Sequence, residues 1–179
     1  MAQEGYHPAR VSITGPRGED MRIYLAGPLF TKAERDYLES LAARIRGLDI
    51  ECFVPHLESP ILAESTPTSV FEKDFGKGLL AANAVVAWLD GPIVDDGTAC
   101  EIGVFYGLMQ QGEPWRKGIL GLATDLRLQR RRPHLGTGGI NLFVSGVIEA
   151  AGRVCWSEED VLAGLRVWKD ELAGSVQAG

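Results

Sequence analysis

The chain is poor in the residues that announce the commoner chemistries. Three cysteines (Cys52, Cys100 and Cys155) in 179 residues are odd in number, far apart and without a C-x-x-C pair. They indicate neither a disulfide framework nor a zinc site, and free thiols in a reducing compartment are expected. Histidine is scarcer in effect than in number, because His7, His56 and His134 stand alone with no partner at helical spacing. A metal centre loses support, and so does a serine hydrolase, since no G-x-S-x-G elbow occurs. No apolar run approaches the roughly 18 residues that span a bilayer, and the opening MAQEGYHPARVSITGPRGED has no apolar core of a signal peptide. Positive charge is also short: 18 Lys and Arg against 24 Asp and Glu leave a net charge of −6. That balance disfavours nucleic acid and anionic membranes as partners and predicts a soluble, cytoplasmic protein.

What is present suits one globular domain. At about 150 residues per domain the length allows one, and 45% apolar with 23% charged residues is ordinary for a chain that buries a single core. Residues 1–20, polar and without periodicity, read as an N-terminal extension, and 21–179 as the domain. RIYLAG is a strand ending at Gly27-Pro28, followed by a helix over Thr31–Ile45. IECFV is a second strand, and a Ser/Thr/Pro loop leads to a helical stretch reaching Asn83. AVVAWLD at 84–90 does not alternate and is rich in Val, so it reads as a central strand buried on both faces. A helix over Thr98–Gln111, the strand KGILGLAT, a helix over Ile140–Ala151, the strand RVCW and a closing helix over Ser157–Ala173 complete the alternation. The expected fold is α/β: a doubly wound, flavodoxin-like or Rossmann-like parallel sheet of five strands with helices on both faces. The basic segment LRLQRRRPHLGTGG at 126–139, with Arg127, Arg130, Arg131 and Arg132, is read as a solvated loop, with a lid or subunit contact as the other reading.

In such a sheet ligands bind beyond the carboxyl ends of the strands, which carry Gly27-Pro28, His56, Asp90-Gly91 and Asp125. Neither G-x-G-x-x-G nor G-x-x-x-x-G-K-[ST] is present, so a dinucleotide cofactor and a P-loop are disfavoured, and no cofactor is expected. Carboxylates remain: Asp74 before the central strand, Asp90, Asp95 and Asp96 after it, and Glu101 in the first turn of the next helix. Acidic groups around one strand tip suggest glycosyl chemistry, in which one carboxylate attacks carbon while another group manages the proton. Each also has a structural reading. Thr98-Ala-Cys-Glu101 matches a capping box, Asp95 and Asp96 suit a turn before a helix, and Asp74 suits a solvated helix position. Trp88 is expected in the core, His56 in a loop, and Phe30 is open between surface and base contact.

IYLAGPLFT at 23–31, KDFGKGLLAANAVVAWLDG at 73–91, DDGTACEIGVFYGL at 95–108, TDLR at 124–127 and INLF at 140–143 together resemble the nucleoside 2-deoxyribosyltransferase family. The resemblance implies Glu101, in G-T-x-x-E-x-G, as nucleophile and Tyr24 as the group that orients it. It implies Asp74 beside the sugar, Asp95 near the base, and Asn141 donated by a neighbouring subunit. Gly27, Phe30, Asp90, Gly97 and Asn141 are the residues expected at the substrate. The implied partners are a 2′-deoxyribonucleoside and a free nucleobase, in a homo-oligomer that is a dimer or a hexamer built as a trimer of dimers. Asn83 stands where the family commonly has Asp and is expected to be structural. Two rivals are an N-glycosidase of nucleosides or nucleoside 5′-monophosphates and a nucleoside-binding module without turnover. The apolar Gly27-Pro28-Leu29-Phe30 tip is a poor phosphate cradle, and the full carboxylate set is superfluous for binding alone.

Overall fold

The computed structural model describes residues 21–58, 60–129 and 139–177. The 1–20 extension and most of the basic loop, including Arg130, Arg131, Arg132 and His134, lie outside the described residues. Five parallel strands, β1 (Arg22–Ala26), β2 (Glu51–Phe53), β3 (Ala84–Trp88), β4 (Gly118–Leu122) and β5 (Gly152–Cys155), form one sheet in the order β2-β1-β3-β4-β5. β3 lies at the centre, as its unalternating Val-rich run predicts. The order reverses between β1 and β3, which makes the crevice above that pair the place where a ligand belongs.

The helices are α1 (Lys32–Arg46), α2 (Pro55–Glu58), α3 (Pro67–Lys73), α4 (Asp96–Met109), α5 (Leu126–Gln129), α6 (Leu142–Ala151) and α7 (Glu158–Gln177). α1 opens with a full capping box between Thr31 and Glu34 and buries Leu38, Leu41, Ala42 and Ile45 as one stripe. With α7 it covers the sheet face carrying Ile23, Leu25 and Val86. The alternate residues Tyr24, Ala26, Val85 and Ala87 face the opposite core, which is closed by Ile102 and Phe105 of α4 and Ile148 of α6. No helix among the described residues is long and apolar enough to cross a membrane.

The helical stretch expected to run to Asn83 is instead broken into three pieces. α3 passes into a π-turn over Asp74–Gly78 and then a 3₁₀ turn over Leu79–Ala81. Gly76 and Gly78 weaken the regular helix there. The orphan carbonyls at the end of this segment are satisfied by Arg116, a residue that sequence periodicity does not single out. Its guanidinium donates to Leu79 O (3.3 Å), Leu80 O (3.1 Å) and Ala82 O (3.2 Å), while its Nε donates to Glu113 at 2.9 Å. The Trp115 and Phe105 rings flank it at 4.1 and 5.5 Å. Asn83 is structural as expected: Oδ1 accepts from Arg22 N at 2.7 Å and Nδ2 donates to Trp115 O at 3.1 Å, which ties β1, β3 and the approach to β4 at their amino ends.

Candidate active site

The start of α4 differs from the sequence reading, and the difference decides what Glu101 does. The helix begins at Asp96 with Asp95 as N-cap, not at Thr98. Asp95 Oδ2 accepts from Thr98 N at 2.8 Å and from Thr98 Oγ1 at 3.0 Å, and Thr98 is 1% exposed. Asp95 therefore occupies the cap that the capping-box reading gave to Thr98. The Asp side chain reaches the third amide of the helix as readily as a hydroxyl and carries a charge that the helix dipole favours. Glu101 consequently lies in the second turn, not the first, and makes no capping bond.

Freed from the cap, Glu101 turns to β1. The Tyr24 hydroxyl, wholly buried beneath the sheet's carboxyl edge, donates to Glu101 Oε1 at 2.5 Å. Positions 97, 100, 101 and 104 fall on one face of α4, so Gly97, Cys100, Glu101 and Val104 line one wall of a cavity of about 180 Å³. The other wall comes from Phe71, Asp74, Phe75 and Leu79, with the Phe71 and Phe75 rings stacked at 5.3 Å. Asp74 opens the π-turn and stands at a junction, because it also lines an adjoining cavity of about 350 Å³ with Leu29, Arg35, Pro55, His56, Pro60, Ile61 and Val70. Tyr24, Asp74, Gly97 and Glu101 are thus brought together around one cleft at the β1/β3 switch.

Electrostatically this is a site of crowded acids. Burial pushes the Glu101 carboxyl from its ordinary 4.5 up to about 7; the Tyr24 hydrogen bond works against that rise, and the nearby charges of Asp74 and Asp95 add to it. The amino end of a helix favours an anion, but at Glu101, in the second turn, desolvation outweighs the dipole. Burial, reinforced by Glu101 and then Asp74, drives the Tyr24 phenol far above its usual range, so it remains a hydrogen-bond donor. Among the described residues no group of three or more His, Cys, Asp or Glu is arranged to hold a metal ion.

The other expected residues lie apart from this cluster. Asp90 accepts from Thr124 N at 2.7 Å, Asp125 N at 2.9 Å and Thr124 Oγ1 at 2.5 Å, so both its oxygens hold the β3 and β4 tips together. Gly27 is buried on the α1 side, where a side chain would meet Leu38 and Trp88. Phe30 stands 77% exposed on the loop after β1, and the Arg35 guanidinium fastens that loop through Leu29 O (2.7 Å) and Phe30 O (2.9 Å). Asn141 is the N-cap of α6, accepting from Phe143 N at 2.9 Å and Val144 N at 3.3 Å, and lines a separate cavity of about 480 Å³ with Ile93 and Asp96. Trp88 packs on Tyr37 at 4.4 Å, as a core residue does. His56 is not a loop residue: it sits on the single turn α2, bonded through Nε2 to Glu39 at 2.9 Å, and lines the larger cleft cavity. Arg127 belongs to the short helix α5 and pairs with Asp125 at 2.5 Å, a local contact that a loop reading passes over.

The sequence model of the nucleoside 2-deoxyribosyltransferase family matches residues 23–137. A protein of Ureaplasma parvum serovar 3, described as uncharacterized, is 30% identical over 139 residues, which is 72% of this chain and 83% of its own length. The crystal structure of a conserved protein from Enterococcus faecalis superposes with a TM-score of 0.66 at 33% identity, covering 80% of this chain and 96% of that one. The 2-deoxyribosyltransferase of Bacillus psychrosaccharolyticus, described as a biocatalyst for nucleoside synthesis, shares the fold with a TM-score of 0.58 at 22% identity, covering 79% and 90% of the two chains. The matched segment contains β1 through α5 and with them Tyr24, Asp74, Asp95 and Glu101, and this chain belongs to the nucleoside 2-deoxyribosyltransferase family.

Proposed function

We propose that the protein exchanges the nucleobase of a 2′-deoxyribonucleoside through a covalent 2-deoxyribosyl ester on Glu101. The observation that carries the reading is the 2.5 Å bond from buried Tyr24 to Glu101 Oε1 at the wall of the cleft. One oxygen is held and the other is left for attack, the geometry a carboxylate nucleophile needs. In the first half-reaction a bond forms between Glu101 Oε2 and the anomeric carbon as the bond from that carbon to the base nitrogen breaks. The electron pair leaves with the base, which takes up a proton delivered from solvent through a water that Asp95 orders. Thr98 occupies Asp95 Oδ2, so Oδ1 is the oxygen assigned to this task. A second base then attacks the anomeric carbon from the vacated face, its N–H proton leaving by the same water and the bond from that carbon to Glu101 Oε2 breaking, which restores Glu101 and the original configuration in two successive inversions.

Asp74, at the junction of the two cavities, is assigned to the sugar. A cleft lined by Asp74 and Glu101, with the charge of Asp95 close by, suits a neutral nucleoside and a cationic transition state better than a phosphorylated substrate. The Arg35 guanidinium, a cation bordering the cleft, is engaged with the Leu29 and Phe30 carbonyls. Asn141 is assigned to the site of a neighbouring subunit; Leu142 and Phe143 beside it are 51% and 81% exposed, a surface a second copy would cover. The test is incubation with a 2′-deoxynucleoside and a different free base, followed by chromatography. The exchanged nucleoside is the expected product. Free deoxyribose formed at a rate independent of the added base would identify a hydrolase, and no turnover with any base would leave a binding module.

A further inference from the structure

We propose that Gly78 is a positioning residue for the Tyr24–Glu101 pair: the missing side chain at the end of the π-turn is what lets the Tyr24 ring lie where its hydroxyl meets the carboxylate. The inference draws on the reading of Glu101 as nucleophile for its catalytic consequence alone.

The argument is steric. A Cβ built on Gly78 would stand 2.6 Å from Tyr24 Cε2, 2.7 Å from Tyr24 Cδ2 and 3.0 Å from Phe53 Cε1. Carbon atoms settle at about 3.5–4.0 Å, so the Tyr24 ring would have to retreat by roughly 1 Å. It has little freedom to do so. Tyr24 and Phe53 are register partners on β1 and β2, their rings are stacked at 5.5 Å and 14°, and both crowd the same glycine. Tyr24 is wholly buried and Phe53 is 3% exposed, so neither ring can swing into solvent.

The turn itself gives the contact its purpose. The π-turn inserts an extra residue into the helical path between Asp74 at its start and Gly78 at its end. Asp74 therefore reaches the cleft while Gly78 backs directly onto the ring that holds the nucleophile. Gly76, in the same turn, has nothing within 4 Å of its Cβ position. The two glycines thus separate the backbone preference of the turn from the space required by Tyr24.

The experiment compares G78A with G76A, Y24F and G78A/Y24F, reading the Glu101 ionisation in the free protein by NMR of a labelled carboxyl carbon and kcat/KM against pH with substrate. G78A is expected to move the Glu101 titration to higher pH, because the Tyr24 bond opposes the rise caused by burial. At neutral pH kcat/KM should fall on the order of a hundredfold, the usual consequence of a 1 Å misplacement. G76A should change neither readout, and adding G78A to Y24F should shift the titration no further. A G78A protein that titrates like wild type, or a G76A protein that shifts as much as G78A, overturns the proposal. Should G78A not fold, the same change in a Y24L/F53L background, where both crowding rings are gone, must fold as that background does; failure there also overturns it. The titration needs no substrate, so it answers for Gly78 even if base exchange is not the reaction.

Discussion

Replacing Glu101 by Gln should make the protein more stable at alkaline pH and leave it unchanged at acid pH, while abolishing base exchange. Glu101 has its carboxyl pushed from 4.5 to about 7 by burial and by the charges of Asp74 and Asp95. Between those two values the folded protein binds more protons than the unfolded chain, so stability falls as pH rises through that window. Above it the folded state carries the whole cost of an ionised, desolvated carboxylate. Converted at 1.36 kcal/mol per tenfold change, that cost is about 3 kcal/mol, and part of the Glu101 surface meets solvent, so about 1–3 kcal/mol is the expected range. Gln keeps an oxygen for the Tyr24 hydroxyl and cannot ionise. Urea denaturation followed by tryptophan fluorescence from pH 4.5 to 8.5 should therefore give two curves that coincide at the acid end and separate through pH 5–7. At pH 8 the Gln variant should melt several degrees higher, at roughly 2–4 °C per kcal/mol for a chain of this size. Curves that stay parallel across the range would show that burial does not govern Glu101, and a Gln variant less stable at pH 8 would reverse the sign of the argument.

Activity should follow the same ionisation. If the anion attacks, kcat/KM of the wild type climbs with pH to a half-maximum near 7, and in Y24F, which loses the bond that favours the anion, the half-maximum moves upward; a profile already flat at pH 5 contradicts this. Arg116→Ala leaves the Leu79, Leu80 and Ala82 carbonyls and the Glu113 carboxylate without their partner in the interior. A loss of about 3 kcal/mol is expected in chemical denaturation, and a loss under 1 kcal/mol would mean that water replaces the guanidinium. Mixing inactive Glu101→Gln and Asn141→Ala proteins under conditions of subunit exchange should restore about a quarter of the dimeric sites, since only mixed dimers pair an intact Glu101 with an intact Asn141. No recovery on mixing would place Asn141 outside its neighbour's site.

The fold was legible because its signals are repeated. The Val-rich run at 84–88 declares a strand buried on both faces, and the apolar stripe of α1 declares the helix that covers one of them. The stretch from 67 to 83 was not, since a π-turn and a 3₁₀ turn differ from an α-helix by one residue per turn, and that difference leaves almost no mark on apolar spacing. The start of α4 was misplaced by the ambiguity of D-D-G-T, in which Asp95 and Thr98 are both good caps; Asp95 prevails because its oxygen satisfies the Thr98 amide and hydroxyl together. Arg116 and Gly78 were invisible for a common reason. What each does is fixed by residues about 35 and 54 positions away in sequence, and no local pattern records a distant carbonyl or a distant ring.

The raised pKa of Glu101 is at first sight wrong for a nucleophile, since near neutrality much of it is protonated in the empty cleft. On the proposed reaction it is the expected signature of a site shaped for a charge that is absent from the ground state. Asp74, Asp95 and Glu101 repel one another when the cleft holds only neutral groups, and burial prevents water from relieving that repulsion. As the bond to the base breaks, positive charge appears on the sugar between them, and each carboxylate changes from a repelled neighbour to an attracting one. The interaction is thus far stronger in the transition state than in the nucleoside complex, which is the condition for accelerating the chemical step and not merely tightening binding. Removing one of the acids should accordingly ease Glu101 ionisation and still slow the reaction. Asp74→Asn is the variant in which those two effects part: its Glu101 should titrate at lower pH than in wild type while kcat falls and stability holds, whereas an Asp74 that merely held the fold would move kcat and stability together.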